Sequence, residues 1–133
     1  MAIGVGDSNL ENYLRGGKSL GDDKDKSLGY HESGNIMYNN NFLYTVETYG
    51  ARDVVGCCIH RPKNIAFFTK NGKRLDAEVN IQDMGQGELY PAFTVHAFET
   101  KTGAAATVNF GQYPFMFNIR EYVDVLRHNS RLS

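Results

Sequence analysis

Residues 53–75 read DVVGCCIHRPKNIAFFTKNGKRL, and whether this stretch is a thiol site or a pair of strands decides the class of the whole chain. Along 54–60, alternation puts Val55, Cys57 and Ile59 on one face and Val54, Cys58 and His60 on the other, because successive side chains of a strand point to opposite sides. Along 64–70, Ile65, Phe67 and Thr69 oppose Ala66, Phe68 and Lys70 in the same way. Asn71-Gly72 follows. This dipeptide is the strongest short hairpin signal, since a type I′ turn needs positive φ at both central residues. Cys57 and His60 therefore point apart and can share neither a proton nor a metal. Cys58 and His60 share a face at about 6.5–7 Å between Cα atoms, but nothing nearby in sequence lowers the thiol pKa or offers an oxyanion site. Cys57 and Cys58 read as structural thiols of a core, Asn71 and Gly72 as a structural turn. No catalytic residue is assigned.

Outward from this hairpin, short runs rich in Val, Ile, Phe and Tyr recur at 2–5, 27–31, 35–38, 54–60, 64–70, 73–75, 88–97, 105–110 and 115–117. Turn residues separate them, in HESGN, YNNN, RPKN, KNGK and KTG. Many short strands at close spacing predict an all-β chain, an antiparallel sandwich or barrel. One helix is predicted, at the end. Asn118 caps it, Glu121 sits three residues on, and Ile119, Tyr122, Val123 and Leu126 recur at helical spacing. The chain divides into a sandwich at 1–118 and a C-terminal amphipathic helix and tail at 119–133. Phe67, Phe93, Phe110, Phe115 and Phe117 are the aromatic core candidates.

Composition bounds the rest. A chain of 133 residues, 41% hydrophobic and 22% charged, is one globular domain. A net charge of −1 gives no field that favours nucleic acid or an anionic membrane, and no apolar run approaches a bilayer span. Lys70, Lys73 and Arg74 at the hairpin tip read as a solvated turn rather than a nucleic-acid site. GVGDSN at 4–9 lacks the third glycine of a dinucleotide fingerprint. Four dispersed histidines supply no metal-ligand spacing, so no metal and no cofactor is expected. The only cysteines are adjacent and cannot bridge without severe strain, which fits a reducing compartment, the cytoplasm or nucleus.

DVVGCC followed by IAFFTKNGKRL, then ELYPAFTV and NFGQYPFMFNI, with IGVG and SLGYHESGNIMYN earlier, resembles the SPRY domain of the B30.2/SPRY family. Within that family the chain is most similar to the RanBPM-type (Ran-binding protein M-like) domains. The resemblance implies a bent, concanavalin-like sandwich of two antiparallel sheets that recognises other proteins through loops at one end. Members of this group act as scaffold or substrate-recognition subunits, including in the ubiquitin ligase named for its C-terminal-to-LisH motif. The function it implies is a non-catalytic protein–protein interaction module in a scaffold, adaptor or ubiquitin-ligase-type assembly. A small-molecule or glycan-binding sandwich, and a structural subunit of a large assembly, are the alternatives. Tyr13, Leu14, Arg15 and Phe98 fall in loops that the resemblance places near the recognition end, and are the expected partner contacts. Family domains carry strands before the one matching IGVG, and this sequence begins at MAIGVG. The strand at 2–5 is therefore expected to have an open edge, completed by an upstream segment or by another chain.

Overall fold

The computed structural model describes residues 1–7, 20–21, 26–85, 87–94 and 108–132. Among the described residues, eight strands and one α-helix follow in chain order: β1 (Ala2–Gly6), β2 (Ser27–His31), β3 (Asn35–Tyr38), β4 (Asn41–Thr45), β5 (Val55–His60), β6 (Ile65–Lys70), β7 (Lys73–Asn80), β8 (Tyr90–Thr94) and α1 (Ile119–Leu132). The strands form two antiparallel sheets, one ordered β4-β3-β2-β1-β8 and the other β5-β6-β7.

Alternation along each strand builds the core between them. In the larger sheet Val5, Leu28, Tyr30, Ile36 and Tyr38 face inward; Ala66, Phe68, Leu75, Ala77 and Val79 meet them from the smaller one. Tyr30 shows how a polar atom is carried into this layer. Its ring is fully buried and lies edge-on to Tyr49 at 4.8 Å, while its hydroxyl donates to the Glu47 carbonyl. Burial, with Glu47 and Asp53 adding, holds that phenol up at about 12, so it remains a donor. The Asn71-Gly72 turn has φ of 53° and 83°, the two positive values a type I′ turn requires. At the other landmark read from sequence, the Glu121 amide donates to Asn118 Oδ1 at 3.0 Å and caps α1.

Several expectations are corrected. The strand at 2–5 is not an open edge: β1 pairs with β2 on one side and with β8 on the other. Its second neighbour comes from far along the same chain, so strand completion at β1 has no free edge to act on. β7 runs to Asn80 rather than stopping at Leu75, and alternates exposed and buried residues along its length. β4 is an additional strand. It lies at a sheet edge with all five residues exposed, and its pairing with β3 is interrupted by a register shift that leaves Leu43 unpaired. Such a bulge disfavours further strand addition. The Tyr44 hydroxyl donates to the Glu78 carbonyl of β7 at 3.0 Å and ties the two sheets at this side.

Residues 108–110 and 115–117 are not strands. Asn109 Oδ1 accepts from the Gly111 and Tyr113 amides, Asn109 Nδ2 donates to the Tyr113 carbonyl, and Gln112 bonds Val108 and Phe110. These local side-chain bonds supply the partners that a ladder would otherwise provide, and Gly111 turns the chain at φ 106°. Phe110 and Phe115 are accordingly exposed rather than core. Phe93 is half-exposed for a different reason. It lies beside Ile3 on the inner face of the larger sheet, in β8, the edge strand among the described residues, where the smaller sheet opposite leaves an inward side chain incompletely covered.

Candidate functional site

The opening stretch supplies the foundation of the site. Both faces of the central strand β6 are covered, which is why Ala66, Phe67, Phe68 and Thr69 are buried in succession. Cys57 sits on the inner face against the core, opposite Phe68. Cys58 and His60 share the outer face with Phe67, as the alternation requires. Burial pushes the Cys57 thiol up to about 12, with Cys58 adding to the shift. Burial also raises Cys58, against the pull of Arg74. Neither is an activated nucleophile. Native-state alkylation is expected to spare Cys57 and to modify it only on unfolding; rapid labelling of Cys57 in the folded chain, read by mass spectrometry, would contradict the assignment.

The outer face is covered by the chain leading into α1. Phe67, wholly inaccessible, is flanked by Phe117 at 5.7 Å and Tyr122 at 5.1 Å between ring centroids. The Arg74 guanidinium lies 4.1 Å from the Phe67 centroid and 5.6 Å from that of Tyr122, a cation–π arrangement, and donates to Glu78 at 2.7 Å. His60 adds an edge contact to Tyr122 at 6.2 Å. Phe117 and Tyr122 thus anchor the C-terminal segment.

Ahead of this anchor, the segment crosses the β6–β7 hairpin tip. Gly72 is packed so closely that a Cβ there would stand 2.8 Å from Met116 Cγ and 2.9 Å from its carbonyl oxygen. The β4–β5 connection is bound to the same tip: the Asn71 amide donates to the Val54 carbonyl at 2.7 Å, Asn71 Oδ1 accepts from the Val54 amide at 2.8 Å, and Asn71 Nδ2 donates to Asp53 at 3.0 Å. The bond from Asn71, then that from the Gly50 amide, with Lys70 nearby, holds the Asp53 carboxyl below its usual range.

Met116 thus seats the 108–116 segment on the hairpin tip, beside Val54 bound to Asn71, and this region carries several exposed apolar side chains. Phe110 and Tyr113 are each 70% exposed, Met116 58%, Val54 48% and Phe115 46%. The Asn109 and Gln112 bonds fix the backbone that carries most of them. Large exposed apolar side chains grouped on a fixed backbone are the makings of a protein interface. The hairpin tip and the β4–β5 connection bound to it carry the charged residues Arg52, Asp53, a Lys70–Glu47 ion pair at 3.5 Å and Lys73. Among the described residues no cluster of three potential metal ligands occurs, and no helix is long and apolar enough to cross a membrane.

Tyr13, Leu14, Arg15 and Phe98, the contacts expected from sequence, lie outside the described residues. The strand ends nearest them are at opposite ends of β1: Gly6 precedes the first three, and Thr94, paired with Ala2, precedes Phe98. Sequence reading missed the exposed set because Phe110 and Phe115 were assigned to strands. The signal against that lay between them, in Gly111 and Pro114.

Comparison with known proteins agrees with this architecture. Human Ran-binding protein 9 is 33% identical over 102 residues, which is 73% of this chain and 13% of that protein. Zebrafish (Danio rerio) Ran-binding protein 10 is 34% identical over 106 residues, 76% of this chain and 16% of that protein. A probable ATP-dependent RNA helicase, ddx1, from Dictyostelium discoideum is 29% identical over 105 residues, 79% of this chain and 13% of the helicase. The chain therefore matches only a small part of each relative's length. The family model for the SPRY domain matches residues 1–113. With its two antiparallel sheets and its anchoring hairpin, the chain belongs to the SPRY domain family.

Proposed function

We propose that this chain is a non-catalytic protein-recognition module within a scaffold or adaptor, of the kind found in ubiquitin-ligase assemblies, and that it holds its partner on the aromatic surface at the hairpin end. One observation carries the reading: Phe110, Tyr113, Phe115 and Met116 are exposed together on a segment anchored through Phe117 and Tyr122. Apolar side chains left largely exposed by their own chain gain by leaving water on association. A backbone already fixed spares much of the ordering cost of binding. The likeness to Ran-binding proteins 9 and 10 supports placing the module in a larger protein. Two unbridged thiols are in keeping with the cytoplasm or nucleus.

The test is quantitative capture from the native source by the chain and by a Phe110→Ser/Tyr113→Ser double variant. Both positions are exposed, so the variant is expected to keep the melting temperature to within a few degrees, since such surface changes cost about 0.5 kcal/mol or less each. Its affinity for the specifically captured partner is expected to fall by about 30-fold or more, the effect of losing a hot-spot pair. Unchanged capture by a folded double variant would contradict the proposal.

A further inference from the structure

The hairpin tip beneath this surface carries an unbalanced charge. Lys70 and Lys73 are directly opposite one another across β6 and β7, and like charges in that relation repel. Lys70 is compensated by Glu47 at 3.5 Å, and Arg74, next along, by Glu78 at 2.7 Å. Lys73 has no salt-bridge partner among the described residues. Neither does Arg52, exposed on the β4–β5 connection and held there at φ 72°. The one uncompensated acid on this connection is Asp53, whose two carboxylate oxygens already accept from Asn71 and from the Gly50 amide. Two cations without a salt-bridge partner among the described residues therefore lie on the hairpin tip that Met116 covers and on the connection bound to it, and the strand register sets one of them, Lys73, opposite a second cation.

We infer that the partner presents an acidic segment, with at least one carboxylate beside an apolar anchor residue, and that Lys73, supported by Arg52, selects for it. This rests on the reading of the aromatic surface given above and adds the chemistry of what that surface takes. The apolar side chain of the partner settles among Phe110, Phe115 and Met116, and its carboxylate relieves the repulsion at Lys73. A peptide satisfies both demands. A nucleic-acid backbone meets the cations but leaves the aromatic side chains to stack on bases alone, and among the described residues two unpaired positive charges stand here where phosphate-tracking surfaces gather many.

The probe is a phage-displayed library of random twelve-residue peptides, selected on the full chain and on its Lys73→Glu variant. Enriched peptides are remeasured in solution against the Phe110→Ser/Tyr113→Ser variant. The expected result is a set of patch-dependent peptides in which Asp or Glu adjoins Phe, Leu or another large apolar residue. Their affinity for the Lys73→Glu variant is expected to fall by about tenfold at low salt, with the difference shrinking as ionic strength rises, as rim charges behave. Lys73 is exposed at a strand end, and an unchanged melting curve for the variant confirms that it folds; Lys73→Gln serves as the milder second variant. Patch-dependent peptides with no acidic preference, or an unaltered consensus with Lys73→Glu, would overturn the inference and leave the aromatic surface standing. Peptides indifferent to the double serine variant, or a random single-stranded oligonucleotide that binds more tightly than the best peptide, would overturn both.

Discussion

Phe67→Ala is expected to destabilise the chain by about 3–5 kcal/mol, the range for removing a fully buried aromatic ring. The side chain has no accessible surface, and no neighbour can collapse into its place without leaving its own. Phe117 and Tyr122 rest on it from the C-terminal side and Arg74 from β7. Truncation therefore creates a cavity and also removes the platform beneath the anchor. Two readouts separate these effects. Urea denaturation reports the total loss. Amide exchange in α1 and in 108–118 is expected to speed up by more than global destabilisation accounts for, because that segment loses its attachment first. A loss below about 1 kcal/mol would be outside the range for a buried ring and would mean that the C-terminal segment does not cover this face.

Gly72→Val carries the second-largest expected effect, about 2–4 kcal/mol, combining a strained left-handed β-branched residue with a local clash. At φ 83° the turn excludes a β-branched side chain, and the new Cβ would meet Met116 on both its side chain and its carbonyl. The same substitution should displace Met116 and so weaken partner capture, linking turn geometry to the recognition surface. Asn71→Gly keeps the required φ but gives up the bonds to Val54 and Asp53, for an expected cost of about 1–2 kcal/mol. It should also change the response to acid. The Asp53 carboxyl is held below its ordinary value in the folded chain. Its contribution is therefore complete above the unfolded carboxylate pKa and is lost as pH falls through the folded one. Removing the Asn71 bond should flatten that part of the pH–stability curve. A melting temperature unchanged by Gly72→Val would contradict the turn itself.

Much of the fold was legible in the sequence because its decisive features are local. Asn71-Gly72 announces a hairpin whatever surrounds it, and the alternation on either side sets Cys57 and Cys58 on opposite faces with no reference to the rest of the chain; which face is inward is decided by the sheet opposite. Asn118 with Glu121 marks the helix start in the same way. What was missed depends on relations between distant elements or on broken periods. In β4 the unpaired Leu43 interrupts the alternation of a strand already short, after an asparagine run that reads as a turn. In β7 the sequence LDAEV does alternate, but its charged members hid a strand whose outer side is solvated. β1 looked open because the family resemblance placed its neighbours upstream, whereas its second neighbour, β8, lies far along the same chain. Phe93 and Phe110 show the limit most plainly. An aromatic residue declares an appetite for burial, but whether anything lies opposite it is a property of the other sheet, and whether its segment pairs at all was decided by Asn109, Gly111 and Gln112.

Hydrogen exchange on the chain with and without a captured partner tests the recognition surface most directly. The expected result is slowed exchange at 108–116, 50–54 and 70–73, with little change across β2 and β3, and loss of that protection in the Phe110→Ser/Tyr113→Ser variant. Protection confined to 8–19 or 95–107, with none over 108–116, would contradict it and return the binding site to the segments that carry Tyr13 and Phe98.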